Sequence, residues 1–160
     1  MDKTSVLIGA GSVLLFGGIV FSAVLSDRNA AIKGAATAPR DQCMEHGTIA
    51  MHIHADLAIY IDGQKVAIPA NTGITSACMK ALHTHDDTGK IHIESPTQTE
   101  FTLGDFFAVW GQPFSATQVL DKGVDDTHAL LMTVNGAPSQ EFEKLILADG
   151  QRIELRYTQK

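Results

Sequence analysis

The chain reads as an N-terminal transmembrane helix followed by a mainly antiparallel β (α+β) domain with one or two short helices. Three observations carry this reading. Residues 5–25 hold no charged side chain. Residues 51–61 place an apolar side chain at every odd position, with polar ones between them at every even position but Ala58, which is the period-2 signature of a half-buried strand. Asp-Gly or Asn-Gly pairs at 62–63, 135–136 and 149–150 separate apolar runs, as hairpin turns do. At 160 residues, 44% hydrophobic and 19% charged, there is room for one ordinary domain and a tether.

Residues 1–4 are a short tail. The 21 residues from 5 to 25, at about 1.5 Å each, match the ~30 Å hydrocarbon core of a bilayer. A cleavable signal has a shorter apolar region with a small-x-small site close behind it. Here the best such site, Ala36-Thr37-Ala38, lies far downstream and precedes Pro39, so a retained anchor is expected. The run is apolar all the way round, with Gly9, Gly11, Gly17 and Gly18 where a soluble helix would show a polar face. Lys3 and the terminal amine on one side balance Arg28 and Lys33 on the other, so the positive-inside rule barely separates the two orientations. The cysteines and histidines favour a domain on the extracytoplasmic side of the cell membrane. Residues 26–40, rich in Ala with Gly34 and Pro39, read as a flexible linker, and residues 41–160 as the domain.

Within the domain, Met51, Ile53, Ala55, Leu57, Ile59 and Ile61 share one strand face, and His52, His54, Asp56, Ala58 and Tyr60 the other. Asp62-Gly63 turns the chain into a partner strand over 64–68, which Pro69 ends. Residues 91–94 alternate again. Thr102 to Asp105 is a capping box that opens a short helix through Phe106, Phe107, Val109 and Trp110, closed by Gly111. Further strands are expected at 129–134, 145–147 and 151–157, with Ile153, Leu155 and Tyr157 on one face.

Residues 41–160 carry eight Lys/Arg against sixteen Asp/Glu. This balance excludes a phosphate-backbone partner, hence nucleic acid, and suits a domain that attracts cations. Cys43 and Cys78 form no C-x-x-C motif, so a zinc ribbon and a thioredoxin-type site are both ruled out. A single disulfide, requiring an oxidising compartment, is the simplest reading; two further metal ligands is the other.

Six of the seven histidines lie between positions 46 and 92. Alternation places His52 and His54 on the same strand face, so both imidazoles can address one site. His83 and His85 repeat that spacing, and His92 shares the polar face of its strand with Glu94. Neutral imidazole suits copper, zinc, iron and nickel, which take three or four such ligands. His52, His54, His83, His85 and His92 are therefore the candidate metal ligands. Asp56, Asp86 and Glu94 are candidates to accept the second imidazole proton and set the tautomer. Met44, Met51 and Met79 adjoin Cys43, His52 and Cys78 and would add soft sulfur for Cu(I) if they faced the site, although alternation turns Met51 to the core. His46 and His128 lack a partner two residues away and are weaker candidates. The competing reading is a polar, pH-sensitive hydrogen-bonded cluster.

Enzyme motifs fail on spacing or length. An H-x-H amidohydrolase barrel needs about 250 residues. His83-Thr84-His85-Asp86-Asp87 is similar to a metallo-β-lactamase motif, but Thr88 stands where a further His is required. Neither H-x-H pair has the following Glu of a cupin. There is no phosphate loop and no G-x-S-x-G elbow. Any catalysis would reduce to a metal-bound water with Asp86 or Glu94 as base.

The stretches HIHADLAIYIDGQKVAIPANTGI, CMKALHTHDDTGKIHIES and FTLGDFFAVWG resemble an uncharacterised family of prokaryotic, membrane-anchored, His-rich extracytoplasmic proteins. Residues 43–111 carry the resemblance, at His52, His54, Cys78, His83, His85, Asp86, Gly89, His92 and Glu94. It implies a shared site without naming a chemistry. The tail VNGAPSQEFEKLILADGQRIELRY looks like a β-grasp or ubiquitin-like ending. The expectation is thus a tethered module that binds or delivers copper, or zinc, through its histidines. Its rivals are an accessory subunit of a membrane protein complex and a small metal-dependent hydrolase.

Overall fold

The computed structural model describes residues 38–44 and 49–160. The tail, the anchor expected at 5–25, the linker up to residue 37, and His46 lie outside them. Among the described residues no helix is long and apolar enough to cross a membrane.

The domain is mostly β with one α-helix. Strand β1 (Met51–Ile61) runs through the middle of a seven-stranded mixed sheet. Its second half forms a hairpin with β2 (Gln64–Val66), across a turn in which Asp62 and Gly63 both take positive φ, as the Asp-Gly pair predicts. Its first half pairs antiparallel with β4 (Lys90–Ser95), and β4 pairs with the two-residue β3 (Leu82–His83). On the other side β1 meets β10 (Gln151–Gln159), which pairs with β8 (His128–Val134), and β8 with β9 (Ala137–Ser139).

The β1–β10 pair is parallel. Turn chemistry in the sequence foretells antiparallel neighbours only, because a parallel pair needs a long crossover rather than a tight turn. Residues 145–147, expected as a strand, do not join the sheet. Their backbone bonds the chain beside the helix start: Leu103 N–H donates to the Leu145 carbonyl and Leu147 N–H to that of Phe101. The strand that follows the Asn135-Gly136 turn is β9, whose Pro138 suits a sheet edge because an edge position needs no ladder donor there.

The helix α1 (Leu103–Trp110) starts as its capping box predicts. Asp105 N–H donates to Thr102 Oγ1, and Thr102 N–H donates to the Asp105 carboxylate. Gly111, at φ +74°, closes it in the left-handed conformation. Asp105 also pairs with Arg40 at 2.7 Å, which fastens the short 3-10 turn Pro39–Asp41 to the helix. A small sheet of β5 (Phe114–Ser115), β6 (Gln118–Val119) and β7 (Lys122–Gly123) follows. Phe114 stacks on Phe107 at 4.3 Å.

One sheet face makes the core. Leu57, Ile59, Ile91, Ile93, Leu82, Ile153 and Leu155 are buried together with Leu103, Phe106 and Phe107 of α1, each side chain contributing roughly 1.5–3 kcal/mol by leaving water. Met44 and Met51 pack against this core and are not on the histidine side. The other face of β1 and β4 carries His52, His54, Asp56, His92 and Glu94, as alternation requires.

Two glycines with positive φ illustrate what holds the histidine segment in place. At Gly89 (φ +94°) a Cβ would lie 2.2 Å from the Leu57 carbonyl oxygen, whereas at Gly63 (φ +81°) it would meet nothing. Gly63→Ala should therefore cost about 1 kcal/mol from backbone strain alone, and Gly89→Ala at least twice that. Urea midpoints of the two variants check the difference, and equal losses would show that the approach to Leu57 is not restraining.

Candidate metal centre

Strand register brings the histidines together. His54 lies directly opposite His92 across the β1–β4 ladder, and His83 opposite His92 across β3–β4. Residues opposite each other share a sheet face with Cβ atoms about 4.5–5.5 Å apart, so three imidazoles form a row across three strands. His52 stands opposite Glu94 in the next row, and His85 leaves β3 on the same side as His83, with ring centroids 4.9 Å apart. His92 is central. Its ring centroid is 4.5 Å from that of His54, 4.6 Å from that of His85 and 5.3 Å from that of His83.

The five candidate ligands thus resolve into two groups that could hold a metal ion. His52, His54 and His92 form one and His83, His85 and His92 the other, with ligand atoms in each group within 4.8 Å of one another. His54 Nε2 and His92 Nδ1 are 3.1 Å apart and share a hydrogen bond. Two nitrogens bound tetrahedrally to one ion at about 2.0–2.1 Å stand about 3.3 Å apart, so an ion could join them with little movement once the donor ring carries its proton on its other nitrogen.

His83 is the most telling member. Its side chain is fully buried. Its Nδ1–H donates to the Lys80 carbonyl at 3.0 Å, which leaves Nε2 as a bare acceptor, and among the described residues Nε2 has no hydrogen-bond partner. A backbone carbonyl that fixes the tautomer while the other nitrogen stays open is how a protein presents an imidazole to a metal. A buried lone pair without a partner is otherwise costly.

The surroundings hold these rings in place. Thr84, also buried, accepts from Thr72 N–H through Oγ1 and donates to the Pro69 carbonyl, while Thr84 N–H donates to the Thr72 carbonyl. Gly73 approaches so closely that a Cβ there would lie 2.4 Å from the Leu82 carbonyl oxygen. Cys43 and Cys78 are joined in a disulfide, so thiolate ligation is not available in this form. The bridge ties the segment that ends at Lys80, and Met44 N–H donates to the Met79 carbonyl beside it. On the other flank Asp149 accepts from His54 N–H at 3.0 Å, and Gly150 N–H donates to the His54 carbonyl. The Lys80 carbonyl and Asp149 are the contributors that sequence reasoning missed. The Asp149-Gly150 pair signalled a turn, but nothing local announces which backbone that turn will grip.

The three carboxylates singled out from the sequence part company. Glu94 is buried and lies 3.3 Å from His52 Nε2. Asp56 pairs with Lys90 at 3.5 Å, and Asp86 accepts from the Thr88 hydroxyl and backbone N–H within its own turn. His128 sits apart from the cluster, stacked on Tyr157 at 4.9 Å.

No family model, no curated protein and no solved structure matches the chain. The site is therefore read on its own geometry.

Burial, and then the neighbouring rings of His54, His85 and His83, push the His92 pKa down to about 4, against the opposing pull of Glu94. Burial likewise lowers that of His83, although the Lys80 carbonyl and Glu94 act the other way. Both rings are thus neutral near pH 7, the form that binds metals. The unfolded chain, with histidine near 6.5, takes up protons first as the pH falls. Metal-free stability should therefore be full above about pH 6.5 and decline towards pH 4. Urea midpoints measured with a chelator present check this, and His92→Gln should flatten the decline.

Proposed function

We propose that this protein is a membrane-tethered, extracytoplasmic transition-metal-binding module that binds or delivers copper, ahead of zinc, through its histidines. The carrying observation is the buried, partnerless Nε2 of His83 beside His85 and His92. An exposed imidazole cluster would be satisfied by water, and a purely structural buried histidine would have both nitrogens bonded.

Copper stands ahead of zinc because the ligand sets are all imidazole, which accept either ion, and divalent copper outranks zinc at such nitrogen sites. The disulfide supports an oxidising compartment, in keeping with an exported domain. The uncharged run at 5–25 supports the tether, and we place the chain with the His-rich anchored prokaryotic proteins that it resembles. We also read the strand order β2-β1-β10-β8-β9, with its parallel centre, as a β-grasp to which β3 and β4 have been added along the first half of β1.

Full-length protein in mild detergent, titrated with Cu(I), Cu(II) and Zn(II) against a competing chelator, should bind one ion per chain, with copper held more tightly. His83→Ala should weaken binding at least tenfold, whereas His128→Ala should leave it unchanged. Binding no tighter than that of a surface histidine tag would overturn the proposal and favour an interface role for the cluster.

The tether has its own test. The full chain should sediment with membranes and resist alkaline extraction, and deletion of residues 5–25 should release it. A protease added outside intact cells or spheroplasts should reach the domain.

A further inference from the structure

The two histidine groups overlap in one residue and differ in a single buried ring. Each has one exposed member, His52 in the first and His85 in the second, but only the second contains a fully buried ring, His83. His92 belongs to both. A nitrogen lone pair holds one ion at a time. A second cation on the other nitrogen of His92 would have to displace its proton and would repel the first in a partly buried site, where Glu94 is the only carboxylate in contact with a cluster ring among the described residues. The overlap therefore suits successive occupation better than simultaneous occupation.

Resting on the metal-binding reading above, we infer that a single ion is captured by the outer group, His52, His54 and His92, and passed to the inner group, His83, His85 and His92, with His92 holding it throughout. The arriving and departing rings flank the pivot at nearly equal range, with His54 4.5 Å and His85 4.6 Å from His92 between centroids. An incoming nitrogen can thus bind before an outgoing one releases. The exchange swaps two neutral imidazoles for two others, and the ion keeps its charge and oxidation state. His83 needs no proton loss to receive it, because its proton already sits on the nitrogen bonded to Lys80. The direction runs inward because the first group has no fully buried ring for the ion to reach, while the second gains a partner for the bare Nε2 of buried His83.

The probe is Cu(II) mixed rapidly with the full-length protein, followed through its d–d absorption, with final affinity and stoichiometry measured separately. Uptake should be biphasic, with a fast phase proportional to Cu(II) concentration and a slow phase independent of it, ending at one ion per chain. His52→Ala/His54→Ala should slow capture at least tenfold, and should weaken final affinity at least tenfold less than His83→Ala/His85→Ala does. The latter should keep the fast phase and lose the slow one. His92→Ala should lose both, and Gln in place of Ala serves wherever urea unfolding shows a variant to be misfolded. Two ions per chain with a magnetically coupled signal would overturn the hand-over in favour of a bridged pair, as would equal loss of affinity in the outer and inner variants. Wild-type protein that takes up no ion would fail the metal-binding reading itself, a result distinct from either.

Discussion

Everything at the histidine cluster depends on the register of three strands. β1, β4 and β3 are aligned so that His54, His92 and His83 face one another directly. Because side chains alternate with a period of two, a slip of one residue in either ladder would send a histidine into the core and bring Ile91 or Ile93 to the other face. Burial of those isoleucines therefore enforces the alignment of the imidazoles. The apolar face and the polar site are two consequences of one pairing.

The register alone would leave the rings at the edge of a sheet, where β3 is only two residues long. Its hold comes from outside the ladder. Thr72, Thr84 and Gly73 bind the preceding loop against the β3 backbone, the disulfide ties the segment that ends at Lys80, and the Lys80 carbonyl orients His83. On the far side Asp149 and Gly150 clamp the His54 backbone. Support of this kind suits a site whose ligands must sit within a few tenths of an ångström of their working geometry. It also accounts for a fully buried histidine with an open nitrogen, which an unsupported edge would rotate towards water.

Several elements were legible from local signals. The alternation of residues 51–61, the Asp62-Gly63 and Asn135-Gly136 turns, and the capping box from Thr102 to Asp105 each depend on neighbours within a few positions, and each appears in the structure. The paired spacing of His52 with His54 and of His83 with His85 belongs to the same class. What escaped was non-local. The parallel β1–β10 pair joins segments about ninety residues apart, residues 145–147 bond the chain near the helix start instead of the sheet, and β5 to β7 are too short to carry a periodic signal. Glu94 and Asp86 looked alike in sequence, yet one reaches a histidine and the other is taken up by Thr88.

The sequence by itself determined which face of each strand its histidines occupy, that two cysteines were available to bridge, and that the domain is acidic and preceded by an uncharged run. These follow from periodicity and composition, which are properties of the chain alone. Only the tertiary structure decided that His92 stands between two groups, that His83 loses all contact with water, and that a main-chain carbonyl at Lys80 selects its tautomer. Those facts depend on which distant segments are brought side by side, and that choice is made by burial of the shared core rather than by any residue at the site.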